Sequence, residues 1–320
     1  NPFRAFLFLS VIIFLSYSKL KFDILLYIIP LGSFIAGVVA LYQYYILHLP
    51  SAFWEQMKIQ SGDIAMSLGL FSFVVSFYFI DINKSKLALL STIAGLFGVL
   101  ASVLSFARGG WIGIPLIFFV VLYIYKNKIS KKLVGVIGLS IFMGGVLLSN
   151  NAQFMDRVLS VKSALTSYSN GVKDGSIGAR LDMWKMGSDA FLEHPISGWN
   201  LKELDSYKKA LAEKGVVSPE FIQYTHFHNQ FIDDAAKKGL LGGISLLGVF
   251  LIPLYFFYKK QRSYKESKRI KFITTLGVVH ILSIMSYCIT QAFLAHNSGN
   301  VFYFFLLVVF WAFMKNENEE

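Results

Sequence analysis

The sequence predicts an all-α integral membrane protein, a polytopic helix bundle with one large polar segment on its outer side. Three observations point there. Of 320 residues, 55% are hydrophobic and only 15% charged, too apolar a balance for a soluble core inside a polar surface. The apolar residues gather into runs close to the roughly 20 residues that a helix needs to cross a bilayer. Lys and Arg, which bring the net charge to +11, concentrate in every second connection between those runs.

Nine runs qualify, at 3–17, 22–48, 63–82, 86–107, 111–125, 132–150, 239–258, 271–293 and 298–314. The first and fifth are short for a full crossing, so they are expected to tilt little or to borrow flanking residues. Basic connections follow the first run (Lys19, Lys21), the third (Lys84, Lys86), the fifth (Lys126 to Lys132) and the seventh (Lys259 to Lys271). Positively charged loops are retained in the cytoplasm. The connections at 49–62 and around Arg108 therefore face outward, as does the segment 151–238, and the tail after Met314 faces inward. The chain divides into membrane helices over 1–150, an external segment with amphipathic helices over 151–238, and membrane helices with a cytoplasmic tail over 239–320, all within one membrane domain. Nine crossings ending in the cytoplasm put Asn1 outside, with neither an initiator Met nor a signal peptide there. Three further helices ahead of it would return the start to the cytoplasm and bring the total to about twelve.

The basic charge reads as topology and contact with anionic membrane lipid. No stacked-aromatic or groove-reading motif indicates nucleic acid. Cys288 is the single cysteine, which rules out a disulfide framework and a thiolate zinc site. His226 and His228 alternate in Thr225-His226-Phe227-His228, but no acidic or cysteine cluster accompanies them, so no metal site is expected.

Within the external segment, Leu181, Trp184, Ser188 and Phe191 share one face of a helix over Ala179 to Glu193. That helix is expected to lie along the membrane surface and to stop at His194-Pro195, because the residue before proline leaves the helical region. A second polar helix is expected over Leu201 to Lys214, ended by Gly215. Lys208-Lys209 and Lys237-Lys238 read as solvated or lipid-facing. Gly239 and Gly243 read as a small-residue pair for helix packing. His280 reads as a packed intramembrane residue, and His296-Asn297 as a helix end facing the external pocket.

Three blocks carry a resemblance. Ser105-Phe106-Ala107-Arg108-Gly109-Gly110-Trp111, then Arg180-x3-Trp184-x5-Ala190-x3-His194-Pro195-x2-Gly198, then His228-Asn229-x9-Gly239-x2-Gly242 resemble, in that order, the bacterial O-antigen ligase and polymerase superfamily, over most of the chain from about residue 85 onward. The resemblance implies an inverting, metal-independent glycosyltransferase that needs no cofactor. Its donor would be an undecaprenyl-diphosphate-linked glycan. In the ligases the acceptor is a lipid A core oligosaccharide, and the active site faces the periplasm from the inner membrane.

Beyond the inner membrane there is no pool of ATP or nucleotide sugars, so a transferase there needs a donor energised beforehand, such as a lipid diphosphate. Arg108, at the outer end of the fourth run, and Arg180, at the start of the surface helix, are the candidates to bind that diphosphate. A guanidinium forks onto two phosphate oxygens and keeps its charge, and it can stabilise the negative charge growing on the leaving group. His228 is the candidate base for the acceptor hydroxyl, since an imidazole titrates near pH 7. Asn229, His226, Trp184 and Gly109 are candidate supporting residues, with Asn229 either capping the next helix or bonding the acceptor sugar.

Bland readings stand beside these. Arg108 could be an interfacial anchor, and Arg180 a solvated charge opening a helix. A polymerase would share the donor and join lipid-linked repeat units, and a transferase to protein hydroxyls is a third option. A glycolipid transporter would place ionisable groups near the bilayer centre, and the runs 86–107 and 239–258 contain none in their middles. The compact tail and single external segment suit the ligase.

Overall fold

A computed structural model describes residues 3–18, 21–126, 175–217, 222–264 and 266–319, with isolated positions at 149, 155, 156, 159 and 166. The expected run at 132–150 lies outside the described residues, apart from position 149. All the regular elements described are helical, as the apolar runs predict. In order they are α1 (Phe3–Tyr17), α2 (Asp23–Leu41) continued by a π turn (Tyr42–Ile46), α3 (Lys58–Asp81), α4 (Ser85–Leu104), a 3-10 turn (Arg108–Trp111) and α5 (Ile114–Ile124). After them come α6 (Gly175–Glu193), α7 (Leu201–Glu213), α8 (Gln230–Ser263), α9 (Lys268–Thr290), a 3-10 turn (Phe293–Ala295) and α10 (Asn297–Glu319). Six of the described helices, α2, α3, α4, α8, α9 and α10, are long and apolar enough to cross a bilayer, and the chain is a multi-pass membrane protein. The turn at Arg108 and α5 form a shorter apolar stretch, as the shortness of the fifth run foreshadows.

Two compact units emerge, one comprising Asn1–Tyr125 with Leu246–Glu320 and the other Lys126–Ser245. The first is a membrane bundle in which α4 lies between α2 and α3, α9 packs on α3 and α10, and α1 packs on α10. Small residues make those approaches possible. A Cβ on Gly69 of α3 would stand 2.9 Å from the Gly95 carbonyl oxygen, and one on Gly98 of α4 would stand 2.8 Å from the Gly69 nitrogen. Ser33 of α2 donates to the Ala94 carbonyl at 2.7 Å. In lipid, where no hydrophobic force drives helices together, such close packing and interhelical bonds do that work.

The helix ends of this unit sort into two sets. At one, Lys268 Nζ donates to the Asp81 carbonyl at 3.0 Å, Lys271 pairs with Asp81 at 3.6 Å, Arg269 pairs with Glu317 at 3.2 Å, and Asn316 donates to the Ser18 carbonyl. At the other, Ala52 N donates to the Leu104 carbonyl, and glycines 62, 109, 110 and 299 press on Ser105, Thr290, Asp63 and Phe293 respectively. The basic connections thus share one end, and the Arg108 turn lies at the end they leave.

The second unit has its own core. Met183, Met186 and Ala190 of α6, Leu204 of α7, and Val217, Phe227 and Ala236 bury together. Asn200 caps α7 by accepting from Glu203 N at 3.0 Å, and Gly215, at φ 69°, ends it.

Candidate functional site

Phe227 is 1% exposed in the core of the second unit, and burying it fixes the histidines on either side. The backbone around it is tied at four successive points. Lys208 Nζ donates to the Tyr224 carbonyl at 3.0 Å, and Lys237 Nζ to the Thr225 carbonyl at 2.7 Å. Phe227 N donates to Asp233 at 3.1 Å, and Trp184 Nε1 to the His228 carbonyl at 3.3 Å. Asn229 then caps α8, its side-chain oxygen accepting from Phe231 N and Ile232 N. Of the two roles the sequence leaves open for Asn229, the cap is the one seen.

His228 itself adopts φ 51°, a left-handed conformation that persists in a non-glycine residue only where its surroundings enforce it. Its ring, partly exposed, stands edge-on to His226 at 4.4 Å and to Tyr224 at 5.3 Å. His228 N points at His226 Nδ1, 3.4 Å away. Trp184, which holds the His228 carbonyl, is four residues after Arg180 on α6. That spacing puts both side chains on one helix face, so Arg180 stands about one turn, about 6 Å of rise, from the residue bonded to His228.

Two of the lysines expected to be solvated or lipid-facing turn inward instead. The Lys208 side chain is 3% exposed, 3.5 Å from Asp205 and over the Phe227 ring, and Lys237 is bonded within 2.8 Å of Asp233. Periodicity missed them because each long stem runs inward to reach a loop carbonyl that lies far along the sequence. Burial strips water from the Lys208 ammonium and lowers its pKa, with Asp205 partly opposing. Lys209 and Lys238 are exposed as expected.

The second and third motif blocks meet through their glycines. Gly239 has φ 62° and interrupts α8. The broken ladder is completed by the loop after α6: Trp199 N donates to the Ala236 carbonyl at 3.0 Å and Leu240 N to the Pro195 carbonyl at 2.7 Å. A Cβ on Gly239 would fall on the Ile196 carbonyl, and one on Gly198, at φ 68°, on Lys238 N. Gly239 is therefore a chain crossing and not a partner of Gly243 in helix packing, since Gly243 faces open space. His194 stops α6 as expected, with its ring 4.1 Å from Trp199.

Arg108 belongs to the first unit. After α4 the chain reverses at Phe106, φ 56°. Ser105 Oγ holds the turn by accepting from Ala107 N and donating to Ser102 O, and Trp111 Nε1 donates to Ser102 Oγ at 3.3 Å. A Cβ on Gly109 would strike Thr290 of α9, and one on Gly110 would strike Asp63 of α3. Gly109 thus supports Arg108 by letting its turn lie flat on two helices. Asp63 is 1% exposed and absent from the sequence-based candidates. It falls at the first position of the run drawn at 63–82, where a polar residue reads as an edge. Gln60, Asp63 and Ser67 share a spacing of three and four that would have marked a buried polar face, and Ser67 meets Tyr287 OH at 2.9 Å. His280 is packed as expected, its Nε2 donating to the Tyr303 carbonyl at 2.9 Å. Among the described residues no group of three or more His, Cys, Asp or Glu could hold a metal ion. The structure therefore gathers Arg180, Trp184, His226, His228 and Asn229 in one unit and sets Arg108 and Gly109 in the other.

The O-antigen ligase family matches residues 93–247, a span that includes Arg108, Arg180 and His228. An uncharacterized protein of Haemophilus influenzae is 34% identical over 313 residues, covering 97% of this chain and 78% of its own length. The O-antigen ligase of Escherichia coli K12 is 30% identical over 296 residues, covering 88% of this chain; the match spans 66% of that relative, just under two thirds.

Proposed function

The chain belongs to the O-antigen ligase superfamily, and from that premise we propose that it is itself an O-antigen ligase. In this reading it is an inverting glycosyltransferase of the bacterial inner membrane, with its site on the periplasmic face. It moves a finished glycan from undecaprenyl diphosphate to a lipid A core oligosaccharide, and the segment 151–238 is periplasmic.

His228 accepts the proton of an acceptor hydroxyl as that oxygen attacks the anomeric carbon. The bond from that carbon to the diphosphate breaks, and the diphosphate leaves with the electron pair. Arg108 and Arg180 hold it and stabilise its growing charge where a divalent metal would serve in other transferases. The observation that carries this reading is the fixed segment at His228. A solvated loop histidine has no need of four backbone ties and a left-handed φ, whereas a base must be held within reach of its proton.

The test is transfer from an undecaprenyl-diphosphate glycan to core lipid by purified, reconstituted protein. His228→Ala is expected to lower kcat by about 10² to 10⁴, and an undiminished rate removes His228 as the base. Deleting the gene separates ligase from polymerase. A ligase leaves finished polymer stranded on the carrier lipid, whereas loss of a polymerase leaves single repeat units on the core.

A further inference from the structure

The end of the first unit that carries Arg108 also holds a cavity that the reaction above leaves unused. It measures about 530 Å³ and is lined by Gln56 and Met57 before α3, Ser61 in its first turn, and His296, Asn297 and Ser298 at the start of α10. Ligand clefts span about 300–1,000 Å³, so its size suits a small ring or two. The lining is neutral, with two carboxamides, two hydroxyls, an imidazole and a thioether, and no carboxylate, ammonium or guanidinium among its residues. Burial lowers the pKa of His296, which keeps its ring neutral at pH 7 with one nitrogen to donate and one to accept.

Behind this lining stands Gln60, 1% exposed, whose Oε1 accepts from Ser298 Oγ at 3.4 Å. Its Nε2 has no hydrogen-bond partner among the described residues, and neither has Asn300 Oδ1. A buried amide left so is costly, and such groups stand where a ligand or an ordered water completes them. Gln60 lies one turn from Asp63, the residue on which Gly110 of the Arg108 turn packs. The cavity and that turn are neighbours along α3.

We propose that this cavity binds one neutral sugar ring of a glycan substrate, a reading that rests on Arg108 as a holder of the sugar's diphosphate. A phosphate would need a fixed cation, and a polyprenyl tail an apolar wall. A pyranose instead offers hydroxyls that both donate and accept, with C–H faces to set against Met57. The ring belongs to the donor glycan or to the acceptor oligosaccharide, two sources of the same chemistry.

Purified protein in nanodiscs, with an undecaprenyl-diphosphate glycan and core lipid varied in turn, distinguishes them. Gln56→Ala and Ser298→Ala, both at exposed positions, and His296→Gln are each expected to raise one KM about three- to tenfold. The other KM and kcat stay within about twofold. A rise for the acceptor assigns the acceptor ring, and a rise for the donor the donor ring. Both KM values unchanged in all three variants overturn the cavity site while leaving the ligase reading intact. If the wild-type protein transfers nothing, the ligase reading fails by itself. The cavity is then read by titrating each lipid-free oligosaccharide onto the protein. Weaker binding by the variants upholds the site, and equal binding, or none by the wild type, overturns it.

Discussion

At His228 the constraint lies in the backbone, and the side chains that impose it come from elsewhere. Lys208 is the most deeply buried of them. Lys208→Met retains much of its volume but loses the bond to the Tyr224 carbonyl, so transfer is expected to fall about ten- to a hundredfold through misplacement of the base. Lys209→Met, at an exposed neighbour, is expected to transfer at the wild-type rate, and circular dichroism of both should match the wild type. His296 supplies a pH signature. Its folded pKa lies below the ordinary 6.5 through burial, so between those values the unfolded chain binds more protons than the folded one. Stability is therefore unaffected above about pH 6.5 and declines as pH falls below it. The Tm of wild-type protein in detergent should drop more between pH 7.5 and pH 5 than that of His296→Gln; equal drops exclude His296 as a source. His228 was legible as a candidate from its motif and its chemistry. Lys208 and Asp63 were not, because a lysine in a polar stretch and a carboxylate at a helix start look ordinary until distant backbone arrives beside them.

Among the elements, the broken helix α8 is the feature that pattern alone misreads. Gly239 and Gly243 stand four apart in an apolar run, the spacing of a helix-packing pair, yet only Gly239 meets another chain segment. Gly239→Ala must adopt φ 62° with a Cβ lying on the Ile196 carbonyl. The conformation alone costs about 1–3 kcal/mol, and the displaced loop before α7 should abolish most transfer. Gly243→Ala meets open space and is expected to be silent in both rate and Tm. If the two variants behave alike, the crossing does not hold the site. The α2, α3 and α4 approach makes a parallel case. Gly98→Leu inserts a side chain where Gly69 and Ser33 touch, and overpacking of about 1–3 kcal/mol or more should appear as a lower Tm. Six of the nine expected spans were legible, since composition and length define them, but their ends shifted. One run drawn from residue 63 begins at Lys58, and another drawn from 239 continues a helix begun at Gln230. Polar residues extend a helix wherever caps and partners accept them.

For the whole molecule the question is which membrane face each end of the bundle meets. Lys84, Lys86 and the 259–271 connection carry the charge that the proposed orientation assigns to the cytoplasm, and the structure collects the partners of Lys268, Arg269 and Lys271 at one end. The Arg108 turn occupies the other. Cys288 is buried, so introduced cysteines can report exposure against a quiet background. Gln56→Cys is expected to react with a membrane-impermeant maleimide from the periplasmic side, and Lys86→Cys only after the inner membrane is opened. Labelling of both from one side would remove the proposed orientation.

What the sequence determined by itself was the class of the molecule, the position of six of its spans and the identity of His228, Arg108 and Arg180 as candidates. Each rests on local properties: apolar length, charge in short loops, and residue chemistry inside a motif. Only the tertiary structure decided that Gly198 and Gly239 are a backbone crossing, that Asn229 caps a helix, and that Lys208 and Lys237 reach inward to hold the histidine segment. The glycine crossing and the lysine ties join residues from about a dozen to about forty positions apart, and no local pattern encodes which carbonyl a buried ammonium will find.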